Sequence, residues 1–222
     1  MQETSIHHIE TEPPLNGDWN HPCWSVSETI DVDQFRHESS NHRPTTRVRI
    51  LYSKVGLHLI FRVEDQYVRS VQTMLNSAVC TDSCIEFFVK PRDDSGYLNF
   101  EINCGGALHA SYIRDHTRTK AGFADITALS ESDAALIGIY HSMPSTVDPE
   151  ITRPTSWVNQ LFIPFEVLAN YVGPLGSIPG QRWRGNFYKC GDHTSPPHWA
   201  AWSPVSALNS HDPSCFGQLA FK

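Results

Sequence analysis

The sequence predicts an all-β protein, a two-sheet antiparallel sandwich with few short helices. Short runs of alternating apolar and polar residues recur along the chain, clusters of Gly, Pro, Asn, Asp and Ser separate them, and helical periodicity is almost absent. The chain has 222 residues, of which 40% are hydrophobic, enough for one large β domain with its own core. We therefore expect a single domain over residues 1–222, with residues 1–14 as an extended lead-in.

Residues 84–90 and 97–103 form the clearest predicted hairpin, joined by a Pro/Asp/Gly turn at 91–96. Successive side chains of a strand point to opposite faces, so one face of this hairpin is apolar. The opposite face collects carboxylates and amides around an aromatic ring: Glu86, Phe88, Lys90, Asn99, Glu101 and Asn103. Such a surface suits a ligand with many hydroxyl groups.

Further strands are predicted by the same alternation at residues 47–52, 57–63, 107–114, 134–141, 157–163, 182–190 and 216–221. Pro164 is expected to start a short helix, because proline fits the first helical turn. Loops are predicted where polar residues, Gly or Pro dominate, at 116–132, 143–154 and 173–180, and residues 65–76 are expected to hold a loop or a short helix. Trp24 and Trp157 are predicted core residues because they lie in apolar surroundings.

Charge and cysteine content exclude several classes of function. The formal net charge is −7 and no basic cluster is present, which argues against a nucleic-acid partner. No apolar run approaches the length of a membrane span, and residues 1–20 lack the apolar core of a secretory signal. We expect a cytoplasmic protein if Met1 is the natural start, and an extracellular one if a leader has been removed. The six cysteines include no CxxC pair and are expected to be buried free thiols.

The order of several short segments resembles the family 9 carbohydrate-binding modules and their DOMON-like relatives. The segments cover nearly the whole chain: residues 15–18 with Pro22 and Trp24, 82–88, 157–165, 183–190 with Trp199 and 202–204, and His211, Pro213 and 216–221. The resemblance implies an immunoglobulin-like or jelly-roll-like sandwich without catalytic activity. It also implies binding of glycan ends between aromatic side chains and, often, structural calcium. Where sugar-binding members commonly carry a tryptophan, this chain has Ala78-Val79-Cys80-Thr81, so half of an aromatic clamp is expected to be absent.

Sugar recognition needs flat rings against the pyranose and planar polar groups at its hydroxyls. The predicted ligand-binding residues are Glu86, Glu101, Asn103, Arg114, Trp183, Arg184, Tyr188, Trp199 and Trp202. The two late tryptophans, 199 and 202, lie in a sequence typical of a loop, and binding residues are frequent in loops. A competing interpretation places Glu86 and Glu101 in ordinary surface ion pairs with Arg184 or Lys189.

Two alternatives remain open at this point. The same scaffold could carry a small-molecule isomerase, lyase or cyclase, with acid–base roles for Glu86, Glu101, His198 and His211. A DOMON-type haem module would need Met and His ligands, and the methionines are Met1, Met74 and Met143. No cofactor is firmly indicated; calcium at the turn Asp93-Asp94-Ser95-Gly96 competes with a simple turn role. The expected partner is a small molecule or glycan, and the oligomeric state is left open.

Overall fold

The computed structural model describes residues 2–120 and 122–222, and these form a β-sandwich. The first sheet is antiparallel, with its strands numbered in chain order. Across the sheet they are β10 (Gly122–Ala128), β9 (Leu108–Thr119), β8 (Tyr97–Asn103), β7 (Cys84–Lys90), β14 (Arg182–Gly191) and β16 (Gly217–Phe221). Strand β16 pairs with the first half of β14. The second half of β14 pairs with β15 (His198–Ala201), which continues to β3 (Gln34–Phe35).

The second sheet is built around a long central hairpin. Its strands are β4 (Thr45–Tyr52), β5 (Gly56–Asp65), β13 (Thr155–Pro164) and β11 (Gly138–His141), with β2 (Ile30–Asp31) paired to β4. A separate ribbon joins β6 (Val68–Ser70) and β12 (Val147–Ile151). Two short helices complete the fold, α1 (Glu131–Ala134) and α2 (Phe165–Val172), and three-residue to five-residue 3₁₀ turns lie at Pro22–Val26, Val79–Thr81 and Pro213–Cys215.

Strand β1 (Glu3–His8) connects the two sheets, and it is the parallel element of the fold. Its first residues pair with β16, from Glu3 opposite Gln218 to Ile6 opposite Phe221. Its last two residues pair with the end of β4 in the second sheet. Within the stretch expected as a lead-in, Glu3–His8 therefore form a strand that is hydrogen-bonded into both layers.

The core lies between the sheets and is rich in aromatic rings. Phe87 and Phe187, on neighbouring strands of the first sheet, stack at 5.1 Å between ring centroids, and Phe61 of the second sheet reaches Phe187 at 6.2 Å. Each such side chain contributes about 1.5–3 kcal/mol by leaving water. Trp24 and Trp157 are 1% and 0% exposed, which confirms their prediction as core residues. All six cysteines are free, as expected, but only Cys84, Cys104 and Cys190 are buried, and the other three are partly exposed.

Several predicted loops are strands in the structure. Residues 116–132 contain the end of β9 and all of β10, a largely solvent-exposed hairpin in which Phe123 packs at the edge of a buried cluster and Ile126 is exposed. Residues 143–154 contain β12, and residues 65–76 contain β6. The predicted strand at 134–141 begins only at Gly138, after α1. The helix expected after Pro164 is α2, of eight residues, and no helix in the described ranges is long and apolar enough to cross a bilayer.

Candidate functional site

A row of side chains crosses the outer face of the first sheet, on the side away from the core. Pairing of β14, β7 and β8 places Tyr188 opposite Glu86 and Glu86 opposite Glu101. Strand β9 extends the row to His109. Directly opposite residues on paired strands share one face, so the prediction that the two glutamates lie side by side is confirmed.

A cavity of about 310 Å³ opens above this row. The glutamates and Tyr188 form its floor. The loop at residues 205–211 covers one side, and two arginines lie at the rim. The other lining residues include Arg36, Cys80, Arg118, Cys190, Asp192 and Trp199. Its volume is at the lower end of the usual range for ligand pockets, which suits a single sugar ring or the end of a chain.

Glu86 is almost completely buried, at 3% exposure; the Cys190 thiol is within hydrogen-bonding reach of its carboxyl group, yet Oε2 has no hydrogen-bond partner. Burial, and then the neighbouring Glu101, raise the pKa of Glu86 well above its usual range. A buried carboxyl oxygen without a partner is costly unless a ligand or water supplies the missing donor. This atom is therefore the strongest single indication of a binding site.

Glu101 is held from its own strand and is less isolated. The Nδ2 of Asn99 donates to its Oε1 at 2.7 Å, and the Oδ1 of the same Asn99 accepts from the backbone N of Ser111 at 2.9 Å. Burial raises the pKa of Glu101 as well. Because two facing carboxylates in a low-dielectric site repel each other, the pair titrates as a unit and retains a proton more readily than a free carboxyl.

The ion-pair interpretation of the glutamates is wrong for this structure. Arg184 donates instead to the backbone oxygens of Ser214 and Phe216, at 3.2 and 3.4 Å. Lys189 points into the core, is 0% exposed, and lies 3.3 Å from Asp65 Oδ2. Strand alternation explains this, since Lys189 follows Tyr188 and so faces the opposite side of the sheet.

Trp199 forms an aromatic wall of the cavity and belongs to β15, not to a loop as predicted. Strand pairing places it opposite Cys190. Its Nε1 donates to Asp192 Oδ1 at 2.7 Å, and its backbone N donates to Ser39 Oγ at 2.8 Å. Held by both ends, the indole presents a fixed flat surface beside the acidic floor, as a pyranose ring requires.

His211 lines the cavity from the covering loop. Its Nδ1 hydrogen-bonds the Tyr97 hydroxyl at 2.9 Å, and its ring packs against Phe88 and Phe123 with centroids 4.8 and 4.6 Å apart. Burial lowers the pKa of His211 to about 3. The imidazole is therefore neutral near pH 7 and acts there as a packed wall residue with hydrogen-bonding capacity, not as a proton donor.

A family model of "Carbohydrate-binding family 9" matches residues 25–221, which is most of the chain. The protein belongs to carbohydrate-binding family 9. The further DOMON-like assignment stays a prediction.

Solved structures with the same fold include other family members. A protein from Bacteroides uniformis, described as a candidate carbohydrate-binding protein, is 26% identical, with 100% of this chain and 99% of that chain covered and a TM-score of 0.85. A family 9 module from Caldicellulosiruptor kristjanssonii in complex with glucose is 12% identical over 99% and 96% of the two chains, with a TM-score of 0.65. A family 9 module from the same organism in complex with cellotriose is 11% identical. The match covers 100% of this chain and 94% of that chain, with a TM-score of 0.64. A search of curated proteins gives no match.

Three other predicted ligand residues of this family 9 protein lie in its interior, away from the cavity. Asn103 donates to Asp82 Oδ2 at 2.9 Å and is 0% exposed, which braces the turn after β8. Trp183 is 1% exposed within the main core, and its Nε1 donates to Gln181 Oε1 at 2.6 Å. Trp202 packs on Phe187 from the core side at 5.6 Å and borders a second, shallower pocket of about 270 Å³.

The remaining predicted residues are also separate from the cavity. Arg114 is solvent-exposed on β9 and pairs with Asp125 at 2.7 Å. Arg184 is engaged with backbone oxygens, as described above. His198, a predicted acid–base residue, is 0% exposed and its Nε2 lies 2.7 Å from Lys189 Nζ. Burial, and then the charge of Lys189, lower the pKa of His198 to about 3, so it belongs to an internal network.

Sequence reasoning missed part of the cavity. Cys190 and Asp192 follow Tyr188 with strand alternation, so their position beside the floor was accessible from the sequence. The rim arginines 36 and 118 and the loop at 205–211 come from distant parts of the chain. Only the tertiary structure brings these residues next to β7, and no local sequence pattern predicts their position.

The predicted calcium turn does not fit a calcium ion as folded here. Both carboxylate oxygens of Asp94 accept from Arg92, at 2.9 and 2.7 Å. Over residues 2–120 and 122–222, no three His, Cys, Asp or Glu side chains come together as a metal site. Calcium elsewhere, through backbone oxygens, stays a prediction.

The haem alternative receives no support from the two described methionines. Met74 is 72% exposed, Met143 packs against the main core, and neither lines the cavity. Met1 lies outside the described residues.

Proposed function

We propose that this family 9 protein binds a carbohydrate in the cavity above Glu86 and Glu101 and leaves it chemically unchanged. The observation that carries the proposal is the unpaired, buried oxygen of Glu86 beside the fixed indole of Trp199. A sugar supplies both missing partners, because its hydroxyls donate to carboxyl oxygens while its C–H face covers an aromatic ring. The complexes of family 9 modules with glucose and cellotriose support the choice of ligand class.

The site recognises one ring or one chain end. Its volume of about 310 Å³ leaves little room beyond that, and Trp199 supplies stacking from one side. Tyr188 is a floor residue, at 3% exposure, and its hydroxyl donates to Ser210 O at 2.9 Å, which ties the covering loop to the sheet. Binding therefore depends more on hydrogen bonds to the floor than on an aromatic clamp.

Calorimetric titration with glucose, xylose, galactose, cellobiose and cellotriose tests the proposal. At least one sugar is expected to bind the wild type, and Trp199→Ala is expected to weaken that binding by about tenfold, since a lost stacking platform costs about 1–2 kcal/mol. Trp19→Ala is the matched control. Its ring packs under Arg49 at 4.4 Å, beside a small cluster that includes Leu51 and Ile60 of the second sheet. A folded wild type that binds no sugar overturns the proposal.

An acid–base enzyme is the second candidate, and one observation favours it. Raised pKa values at two facing carboxyls are typical of catalytic acids as well as of buried binding groups. Incubating each bound sugar with the protein in heavy water and following it by NMR separates the two. A product or exchanged proton that is lost in Glu86→Gln assigns catalysis; an unchanged sugar assigns binding.

A further inference from the structure

The carboxyl groups of the cavity floor form no ion pair with a Lys or Arg in the described residues, and burial raises the pKa of Glu101 more than the facing His109 lowers it. Glu86, Glu101 and Asp192 bring three carboxyl groups to one cavity. The side-chain partners found for the last two are neutral donors, the amide of Asn99 and the indole of Trp199. Within the described part of the chain, no Lys or Arg forms an ion pair with any of the three.

The two rim arginines are already engaged. Arg36 pairs with Glu38 at 2.8 Å and also donates to the backbone oxygen of Val205 at 3.0 Å. The guanidinium of Arg118 stands over the ring of Phe123 at 4.0 Å. Both hold parts of the surrounding surface in place, and among the described residues neither forms an ion pair with the floor carboxyls, so a direct cationic contact for the carboxyl pair has to come from the ligand.

The geometry of Glu86 points the same way. The unpaired oxygen belongs to a side chain that is only 3% exposed. Glu86 lies directly opposite Glu101 on the paired strand. A neutral hydroxyl gives this oxygen a hydrogen bond but leaves the pair dependent on the proton that it retains. A cation satisfies the oxygen and takes the place of that proton, because it attracts both carboxylates at once.

We propose that the cavity prefers a sugar carrying a free protonated amine, an amino-deoxyhexose, over the neutral sugar with the same ring. The inference rests on the proposed carbohydrate binding and names its substrate class. An ammonium group is compact and has three N–H donors, so it can reach Glu86 and Glu101 together. The pyranose ring to which it is attached then covers the indole of Trp199.

The proton balance follows from the groups that face the carboxyl pair. These are Cys84 on β7, Tyr188 and Cys190 on β14, His109 on β9, Cys80 and Asp192 at the cavity wall, and Arg36, Arg118 and His211 at the rim and covering loop; Lys189 is on the opposite side of β14. Burial raises the pKa of Cys80 to about 12 and raises the pKa values of Cys84, Cys190 and Tyr188 well above their usual range. These four groups stay neutral near pH 7. The proton that an arriving ammonium displaces therefore comes from the carboxyl pair and goes to the buffer.

Calorimetry with D-glucosamine, N-acetyl-D-glucosamine and D-glucose tests the proposal at pH 6.5, where a free amine is protonated. The N-acetyl sugar is the control, since it keeps the ring and a substituent at the same carbon but has no charge. Glucosamine is expected to bind about tenfold more tightly than either neutral sugar, because hydrogen bonds between charged groups are roughly twice as strong as neutral ones. Repeating the titration in two buffers of different ionisation enthalpy is expected to show net proton release for glucosamine alone.

Three variants test which side chains are responsible for the preference for the amino sugar. Glu86→Gln keeps the size of the side chain and is expected to bring the affinity ratio of glucosamine to N-acetylglucosamine to about one. Glu101→Gln gives the same result by a second route should the first variant fail to fold. Glu12→Gln, at an exposed loop position, keeps the wild-type ratio.

The outcomes separate this inference from the broader function. Equal binding of charged and neutral sugars overturns the amine preference and leaves carbohydrate binding standing. A preference that survives in both Gln variants places the cation elsewhere and also overturns it. A folded wild type that binds none of these sugars, nor the neutral panel, removes both proposals together.

Discussion

Replacing Glu86 by Gln is expected to make the protein more stable near neutral pH. In the unfolded chain, a glutamate ionises near pH 4.3. In the folded protein, burial and Glu101 raise the pKa of Glu86 well above that value, so the folded state keeps a proton that the unfolded state has lost. The free energy of unfolding of the wild type therefore falls as pH rises through this interval. The stability that the wild type gains from the protonated Glu86 is fully present only below the pKa of the unfolded chain.

The size of the effect follows from one retained proton. For each pH unit between the unfolded and folded pKa values, the free energy of unfolding falls by about 1.4 kcal/mol per retained proton. Glutamine does not titrate, so the variant lacks this contribution. Its stability advantage over the wild type should therefore grow as the pH rises from 5 to 7, by up to about 1.4 kcal/mol for each pH unit over which the folded carboxyl stays protonated. Glu101 is coupled to Glu86, so the comparison reports the titration of the pair and not of one residue alone.

Urea unfolding at pH 5, 6 and 7 measures this advantage directly, with an unchanged m-value as the sign that the unfolded state is comparable. Glu12→Gln serves as the exposed control and should follow the wild type at all three pH values. Parallel stability curves for Glu86→Gln and the wild type would refute the reasoning. They would mean that Glu86 is as well solvated in the folded protein as in the unfolded chain.

Three further predictions concern the interior. Lys189→Met is expected to lower the free energy of unfolding by about 3–5 kcal/mol in a denaturant titration, because it removes the ammonium beside Oδ2 of the buried Asp65, whose other oxygen stays hydrogen-bonded to His42; a loss below about 1 kcal/mol would contradict this. Gly185→Ala is expected to reduce the melting temperature, since a Cβ there would lie 2.7 Å from the Phe88 backbone oxygen; an unchanged melting temperature would show that the strands separate easily. The Cys104 thiol is buried, which raises its pKa to about 12; a disulfide dye at pH 8 should label it only after unfolding, and fast labelling of the folded protein would disprove its burial.

The hairpin and its acidic face were predictable because a strand has a period of two. The alternation in residues 84–90 and 97–103 determines that Glu86 and Glu101 face one side whatever the rest of the chain does. The same alternation places Lys189 on the core side of the sheet, as the structure shows. Its charge, taken alone, predicts a surface position. What overrides that preference is Asp65, which comes from the other sheet and cannot be inferred from the sequence around Lys189.

Other parts of the fold could not be predicted from local pattern. In the exposed part of the β9–β10 hairpin polar residues dominate, and Phe123 and Ile126 are three residues apart with a register shift between them. The sequence there shows no regular alternation, so these strands are identified only by their pairing. Trp199 follows two prolines and resembles a loop residue, yet β14 and β3 make it part of a strand. Among the tryptophans, sequence cannot decide which indole lies in the cavity, because that depends on the face that each strand turns towards the second sheet.

Strand β1 also has a mechanical consequence. Its hydrogen bonds to β16 on one side and β4 on the other make it a shared seam between the layers. Neither sheet can separate from the other while β1 stays paired with both. When β1 dissociates, both β16 and β4 lose a hydrogen-bonded neighbour. Loss of one layer therefore entails loss of the other, and the platform beneath the cavity persists or melts as a whole rather than loosening piece by piece.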